Sequence, residues 1–303
     1  LPVAGMHGGF RGAAPVLFYR LSAGQLKRDD VVTITYGARS QGGDGLRMPT
    51  FSSDRMPFPL YVDFDGSGPL YSLPIQPIRV IGAAVHGVHG FAPSVVRPGE
   101  QFTLSVRAQD RYYNRASGAV PAWQVLHNDK VLATLEASDQ AVQLVENVKF
   151  QDEGVVRLII RSADGAITGA VNPILVSAQA QRIFWGDTHG HSGFAEGIGT
   201  PDRFMTWAKE DARLDFVTHS EHDIWLDDFE WQHLKDNVEA YSEPGRFIAY
   251  LGYEWTTRNL YGGHHNVLFR TAQGRQRIAT QFYPTLSELY EGLRSEYASE
   301  DVL

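Results

Sequence analysis

Short runs of alternating apolar and polar residues dominate the chain up to about residue 180. Gln101–Ala108 alternates with a period of two, and Val131–Leu135 and Val155–Ile160 follow it, with Gly, Asn or Asp between the runs. Successive side chains of a strand point to opposite faces, so each run predicts a short β-strand with one buried face. Several strands at this spacing predict an immunoglobulin-like β-sandwich over residues 77–181.

Two runs ahead of this region also predict strands. Val31–Tyr36 is rich in β-branched residues, and Phe58–Phe64 ends at a turn rich in Gly and Asp. Pro57 and Pro59 restrict the second run to the edge of a sheet, because proline has no amide hydrogen to donate to a neighbouring strand. Residues 1–76 are therefore predicted to be a β-rich segment.

From about residue 182 the pattern changes to strands and helices in turn. Thr200 can cap a helix that begins at Pro201, and residues 285–288 form a capping box ahead of a final helix. The other predicted elements are strands at Arg182–Trp185, Leu214–Val217, Phe247–Tyr253 and Val267–Phe269, and a helix at Phe229–Tyr241. Alternating elements predict parallel βα units. The fold class is thus multidomain: an N-terminal all-β part followed by an α/β domain over residues 182–303.

Composition narrows the choice of partners and chemistry. The chain has 303 residues, of which 43% are hydrophobic, enough to bury a real core. Its net charge of −8 is spread along the sequence, which argues against a nucleic-acid partner. No run of eighteen apolar residues exists, so no membrane span is predicted. The absence of cysteine excludes disulfides and thiolate metal sites and leaves the compartment open, although a sandwich domain favours a periplasmic or secreted protein.

Seven of the eleven histidines fall between His189 and His265. His189 and His191 lie two residues apart after a strand-like run, so their side chains point the same way and can converge on a metal ion. Asp187 lies on the same side and is a candidate ligand, or a partner that fixes a histidine tautomer. A polar loop at a strand end is the alternative interpretation of these residues.

Further candidate ligands follow at the ends of the later apolar runs. Glu196 can reach back toward the histidine pair, and His222 follows the run that ends at Thr218. Glu254 ends a very apolar run, where an unpaired carboxylate would be costly, so it needs a metal or an ion pair. His264 and His265 follow two glycines. Because adjacent strand residues diverge, only one of these two is expected to be a ligand, and we take it to be His264.

Two residues near His222 are candidates for catalysis. His219 and Asp223, together with Asp187, are assigned catalytic roles, as a supporting shell or as groups that face the substrate. A ligand set of imidazoles and carboxylates suits zinc, manganese or iron and argues against copper(I) or iron–sulfur clusters. Elsewhere, His86 and His89 are interpreted as surface histidines. The segment 110–114, with its aromatic pair, is interpreted as a turn of the sandwich rather than a sugar site.

These motifs together resemble the PHP (polymerase and histidinol phosphatase) superfamily. Residues 186–192, 218–223, 252–254 and 264–269 look like four of its ordered motifs. The resemblance implies a distorted βα barrel, two or three divalent metals (Zn, Mn or Fe) and phosphoester hydrolysis. The family's last ligands have no counterpart before Leu303, so only the first half of a barrel is expected. The resemblance then implies a fragment, a processed chain, or a second polypeptide or missing C-terminal segment that completes the barrel.

Three functions remain open from the sequence. The first is a phosphoesterase for a small phosphorylated or ester substrate, in which His189, His191, Glu196, His222, Glu254 and His264 hold metals and a bridging hydroxide attacks. The second is a metal-dependent hydrolase of C–N or C–O bonds. The third is a non-catalytic binding module in which the sandwich recognises a glycan or a protein.

Overall fold

The computed structural model describes residues 19–40, 42–56, 60–68, 71–76, 78–197 and 199–303. Its N-terminal part contains β1 (Ser53–Met56), β2 (Leu60–Val62), β3 (Tyr71–Leu73) and β4 (Ile78–Val80). These strands form two antiparallel pairs, β1 with β4 and β2 with β3. Because β1 pairs with β4, the N-terminal segment is tied to the start of the sandwich region.

The predicted strand Val31–Tyr36 is absent and is therefore wrong. Val31 is 85% exposed, so its β-branched side chain packs little among the described residues, and strand propensity alone does not form a sheet. Of the predicted run Phe58–Phe64, Phe58 and Pro59 lie outside the described residues, and the following residues form β2.

Residues 87–176 form a β-sandwich, which confirms the all-β prediction for this region. Its strands are β5 (Gly87–Phe91), β6 (Val95–Val96), β7 (Phe102–Gln109), β8 (Trp123–His127), β9 (Lys130–Leu135), β10 (Val142–Val148), β11 (Gly154–Val156), β12 (Leu158–Ser162), β13 (Thr168–Ala170) and β14 (Ile174–Val176). They make three sheets in the orders β10-β7-β5, β11-β14-β6 and β13-β12-β8-β9. Leu104, Val106, Trp123, Leu158 and Ile160 are central to the core between them.

Two sandwich predictions differ in detail from the structure. The run Val155–Ile160 is divided between β11 and β12, which belong to different sheets. The division falls at Arg157, which is exposed between the two strands. By contrast, the runs at Gln101–Ala108 and Val131–Leu135 match β7 and β9 closely.

The C-terminal region is a four-stranded sheet with helices. Its elements are β15 (Gly186–Asp187), α1 (Pro201–Thr206), β16 (Phe216–Thr218), α2 (Asp228–Tyr241), β17 (Ile248–Thr256), β18 (His264–Phe269) and α3 (Leu286–Glu296). A π-helical turn at Trp207–Asp211 continues α1. The strand order is β15-β16-β17-β18, in which the first three strands are parallel and β18 is antiparallel to β17.

The antiparallel β18 corrects the expected barrel half. A βα barrel needs each strand to be followed by a helical crossover to a parallel neighbour. Here β17 instead returns through a short loop, so β17 and β18 form a hairpin. The structure therefore shows a mixed sheet, and the prediction of a PHP-like barrel half is not supported.

Local sequence signals explain the helices of this region. The Thr200 side chain accepts a hydrogen bond from the Arg203 amide, as the predicted cap requires, and Pro201 follows it. Thr285 and Glu288 form the predicted capping box of α3. The predicted strand Arg182–Trp185 is wrong, because pairing begins only at Gly186 and Trp185 is 59% exposed.

The two regions contact each other through polar groups. Arg115 of the sandwich forms a salt bridge with Asp211, which also pairs with Arg203 at 3.0 Å. The Trp185 indole donates to Ser94 Oγ at 2.8 Å, and Arg182 pairs with Glu100 at 2.6 Å. Among the described residues, no helix has the length and apolar character needed to cross a bilayer.

Candidate metal centre

The loop after β15 brings the first two histidines to the end of the sheet. Asp187 Oδ1 accepts a hydrogen bond from the His189 amide at 3.0 Å, and Ser220 Oγ accepts one from Gly190 at 2.9 Å. A side chain at position 190 would meet the ring of Phe204, since a Cβ there would lie 2.5 Å from Cζ. The loop can therefore run close to α1 only because this residue is glycine.

His222 is held from two sides at the end of β16. Its Nδ1 lies 2.6 Å from Thr256 Oγ1 in a buried hydrogen bond. Its Nε2 lies 2.9 Å from Glu196 Oε2. The backbone of His222 also bridges to Glu254 on β17. Thus the parallel order of β16 and β17 places both side chains at the same end of the sheet.

Glu254 lies at the centre of the cluster and is only 4% exposed. Its Oε1 lies 2.6 Å from His264 Nδ1. Its Oε2 lies 3.2 Å from His191 Nε2, 3.4 Å from His222 Nδ1 and 3.9 Å from His189 Nε2. One carboxylate thus contacts four imidazoles.

The surroundings of Glu254 favour its charged form. Burial by itself would raise the pKa of the carboxyl, but the His191 contact and the nearby His222 and His264 outweigh burial and lower the pKa to about 2. Glu254 Oε2 has no hydrogen-bond partner among the described residues, although it is buried. A buried anionic oxygen in this position suits a bound cation.

The six predicted ligands form three overlapping sets. In each set the ligand atoms all lie within 4.8 Å of one another. The sets are His189, His191 and Glu254; His191, Glu196 and His222; and His222, Glu254 and His264. The structure therefore brings together all six residues that the sequence singled out as ligands.

The imidazoles of His189 and His191 lie against each other. The Nε2 atoms of His189 and His191 lie 3.3 Å apart, so at most one N–H can lie between them. Burial tends to lower the pKa of His191, but its contact with Glu254 and nearby Glu196 and Glu221 raise it above the ordinary value. Since a metal binds only neutral imidazole, protons and metal compete for this residue.

The three residues predicted to be catalytic lie outside these sets. Asp187 accepts a hydrogen bond from the His189 amide within its own loop, as described above. His219 is buried beneath Phe204, with ring centroids 4.5 Å apart, and its Nδ1 lies 3.5 Å from Glu221 Oε1. His219 therefore lies inside the fold, a position that suits the supporting role among the two predicted for it.

Asp223 is also buried, and its carboxylate connects two segments of the chain through hydrogen bonds. Its Oδ1 accepts hydrogen bonds from the Thr256 amide at 2.9 Å and Thr280 Oγ1 at 3.0 Å, and its Oδ2 accepts one from the Thr280 amide at 2.6 Å. Burial raises the pKa of this carboxyl in spite of these hydrogen bonds. Asp223 thus ties the 280 loop to β17 next to the site.

Sequence reasoning missed three residues that orient the ligands. Asn266 Oδ1 lies 3.1 Å from His189 Nδ1, Thr256 contacts His222, and the Trp225 ring lies 4.7 Å from the His222 ring. Alternation along β18 was a signal for Asn266, because it lies two residues after His264. His265, which lies between them, bonds instead to the Gly262 carbonyl at 3.0 Å, as the alternation predicts.

Comparisons with known proteins identify relatives but no activity. Residues 202–301 match the family model described as "Protein of unknown function (DUF3604)". Proteins of Chlamydia muridarum and Chlamydia trachomatis, each named "Uncharacterized protein", are 24% identical over 260 residues, which cover 82% of this chain and 41% of theirs. A Chlamydia pneumoniae relative is 22% identical over 88% of this chain and 45% of its own. The chain thus spans less than half the length of these relatives.

The family match corrects the resemblance stated above. No PHP family model matches, and the family found covers the region that was expected to be PHP-like. The assignment to the PHP superfamily was therefore wrong. Among solved structures, the CARDB domain of a Pyrococcus furiosus protein is 13% identical, covers 31% of this chain and 94% of its own, and has a TM-score of 0.25. The PKD domain of an M14-like peptidase is 13% identical, covers 31% of this chain and 98% of its own, and has a TM-score of 0.21.

Proposed function

We propose that this protein is a metal-dependent hydrolase, with phosphoesters as the first class of substrate. The observation that carries the proposal is the convergence of four imidazoles on the buried carboxylate of Glu254, with Glu196 against His222 beside them. So many ionisable groups at one strand end are costly to bury unless a cation compensates them. Their nitrogen and oxygen ligand atoms suit zinc, manganese or iron.

The chain's own residues would divide the work between binding and orientation. His189, His191, Glu196, His222, Glu254 and His264 would hold one or more divalent ions. When bound, such ions lower the pKa of water and stabilise negative charge on a phosphoryl or carbonyl oxygen. Thr256 and Asn266 would fix the ring orientations of His222 and His189 through their second nitrogen atoms.

The open side of the cluster is where a substrate would approach. The side chains of His189 and His264 are 51% and 49% exposed, whereas those of His222 and Glu254 are buried. A small phosphorylated or ester substrate could reach the metals from this side. Since the relatives are more than twice as long, we also propose that further polypeptide, or a second chain, lies beside this opening.

Hydrolysis by the purified chain tests the proposal. The protein, loaded with zinc or manganese, is assayed with an aryl phosphate, an aryl ester and an anilide. We expect metal-dependent release of phenol from the phosphate, and its loss in His191→Ala. His127→Ala, which removes a histidine of the sandwich, is the matched control and should retain activity. Preferential turnover of the ester or anilide would reassign the hydrolase to C–O or C–N bonds, and no turnover would favour the binding-module alternative.

A further inference from the structure

A second polar site lies on the sandwich, away from the histidine cluster. A cleft of about 310 Å³ opens where the ends of β5 and β7 meet β13. Polar side chains line it, and one of them is a carboxylate: His86, His89, Gln109, Asp110, Arg111, Tyr113 and Thr168. Volumes of this order accommodate a small ligand such as a single sugar ring.

Glycine residues leave the space in which the cleft forms. Gly87 pairs with Gln109 across the two strands, and a Cβ on Gly87 would lie 3.4 Å from the Gln109 amide nitrogen. On the other wall, a Cβ on Gly169 would lie 1.9 Å from the Val88 carbonyl oxygen. The absence of side chains therefore allows β13 to approach β5 and leaves the Gln109 amide at the wall of the cleft.

Gln109 is the residue that points most clearly to a ligand. It is 5% exposed, yet its Oε1 has no hydrogen-bond partner among the described residues. A buried amide oxygen without a partner costs about 1–3 kcal/mol. A hydroxyl group of a ligand in the cleft would donate the missing hydrogen bond.

The neighbouring turn presents a cation and an aromatic ring. The Asp110 carboxylate is fully used inside this turn, where it accepts from the amides of Ala83, Tyr112 and Asn114 and from the Asn114 side chain. Arg111 has no ion pair among the residues that the structure describes, and it lines the cleft beside His86 and His89. The groups left to meet a ligand are thus the Arg111 guanidinium and the acceptor Gln109 Oε1, with the imidazoles of His86 and His89 beside them.

We propose that this cleft binds a hydroxylated anion the size of one sugar ring, such as a hexuronate or a hexose phosphate. A ligand hydroxyl donates to Gln109 Oε1, and the oxyanion accepts from Arg111 with support from the two histidines. Tyr113, which is exposed at the cleft, offers a ring face for the C–H groups of a sugar. The site is independent of the proposed hydrolase activity.

Amide chemical shifts of the ¹⁵N-labelled full chain test this proposal. Glucuronate and glucose 6-phosphate are the probes. Glucose is a control that has the hydroxyl groups without the charge, and inorganic phosphate is a control that has the charge without the sugar ring. We expect shifts at residues 86–89, 109–113 and 168–169, with weaker or no effect of the controls. Whichever probe binds more tightly shows whether the anion is a carboxylate or a phosphate.

Two variants separate ligand recognition from a structural effect. Arg111→Ala removes an exposed side chain and should weaken binding by about tenfold or more, since a hydrogen bond to a charged group is lost. Arg157→Ala removes another exposed arginine of the sandwich and should leave binding unchanged. Shifts confined to residues 186–196 and 219–222, equal binding of glucose, or no shift at millimolar probe would overturn the proposal.

Discussion

The sandwich and the C-terminal region bury very different interiors. The core of the sandwich is made of aliphatic side chains with Phe102 and Trp123, and the buried polar residues of this region are Ser105, Arg107, Gln109, Asp110 and Ser162. The C-terminal region instead buries five ionisable groups close together, namely His219, Glu221, His222, Asp223 and Glu254. Apolar burial stabilises a fold directly, whereas buried charges need partners. The difference fits the proposal that the C-terminal region carries the hydrolase site, while the apolar core of the sandwich contributes stability.

The largest effect is expected from a substitution in the core of the sandwich. Trp123 is almost fully buried, so Trp123→Ala should lower the free energy of unfolding by about 3–5 kcal/mol. Chemical denaturation measures the loss. Any molecules that remain folded should bind metal as the wild type does, because Trp123 makes no contact with the cluster. A proportional loss of metal affinity would show that the two regions are not separable in this way.

The next effect concerns the metal centre alone. Glu254→Gln keeps the size of the side chain but removes the charge that four imidazoles share. We expect zinc affinity to fall by more than about 100-fold, beyond what removal of an orienting partner costs. Calorimetric titration measures the affinity. Glu153→Gln, at an exposed carboxylate of the sandwich, is the control, and a similar loss in that variant would point to a non-specific effect of charge.

A smaller effect is expected at the contact between the regions. Asp211 is fully buried and pairs with Arg115 and Arg203. Asp211→Asn should destabilise the protein by about 1.5–3 kcal/mol, because charge-assisted hydrogen bonds are lost while both arginines can still reach water. If denaturation then separates into two transitions, the salt bridge couples the regions. A single unshifted transition would contradict a role for this contact.

Lowering the pH should weaken the metal centre gradually. The pKa of His191 is raised, so as the pH falls His191 takes up its proton at a higher pH than an ordinary histidine does. Metal binding requires the neutral ring, so zinc affinity should decrease as the pH falls through this raised pKa, by about tenfold per pH unit for each proton taken up. Titrations between pH 8 and pH 6 measure the slope. Affinity that stays constant over that range would exclude His191 as a ligand.

The sequence predicted which side chains lie together better than it predicted the architecture around them. All six predicted ligand residues converge, because strand-end position and two-residue spacing are local properties. The barrel half was wrong because nothing local to Val267–Phe269 states whether that strand is parallel or antiparallel. The sequence left His219 and Asp223 between a supporting role and a substrate-facing one, because burial beneath Phe204 or beside Thr280 depends on tertiary contacts.

The run at Val31–Tyr36, which forms no strand, shows the same limit from the other side. Its β-branched residues satisfy the local rules for a strand, but Val31 and Val32 are 85% and 63% exposed. Sequence patterns predict which secondary structure a segment can form, whereas the residues that pack against the segment decide whether it forms. The prediction of the sandwich strands was confirmed because their apolar faces meet across a common core.

The metal content of the chain, purified without chelator, tests the central claim most directly. Mass spectrometry of metals is applied to the wild type and to His222→Ala, with His127→Ala as the matched control. The account predicts at least one equivalent of zinc, manganese or iron per wild-type chain, retained in the control and lost in His222→Ala. Failure of the wild type to bind any of these metals, even after incubation with them, would contradict it, as would an unchanged content in His222→Ala.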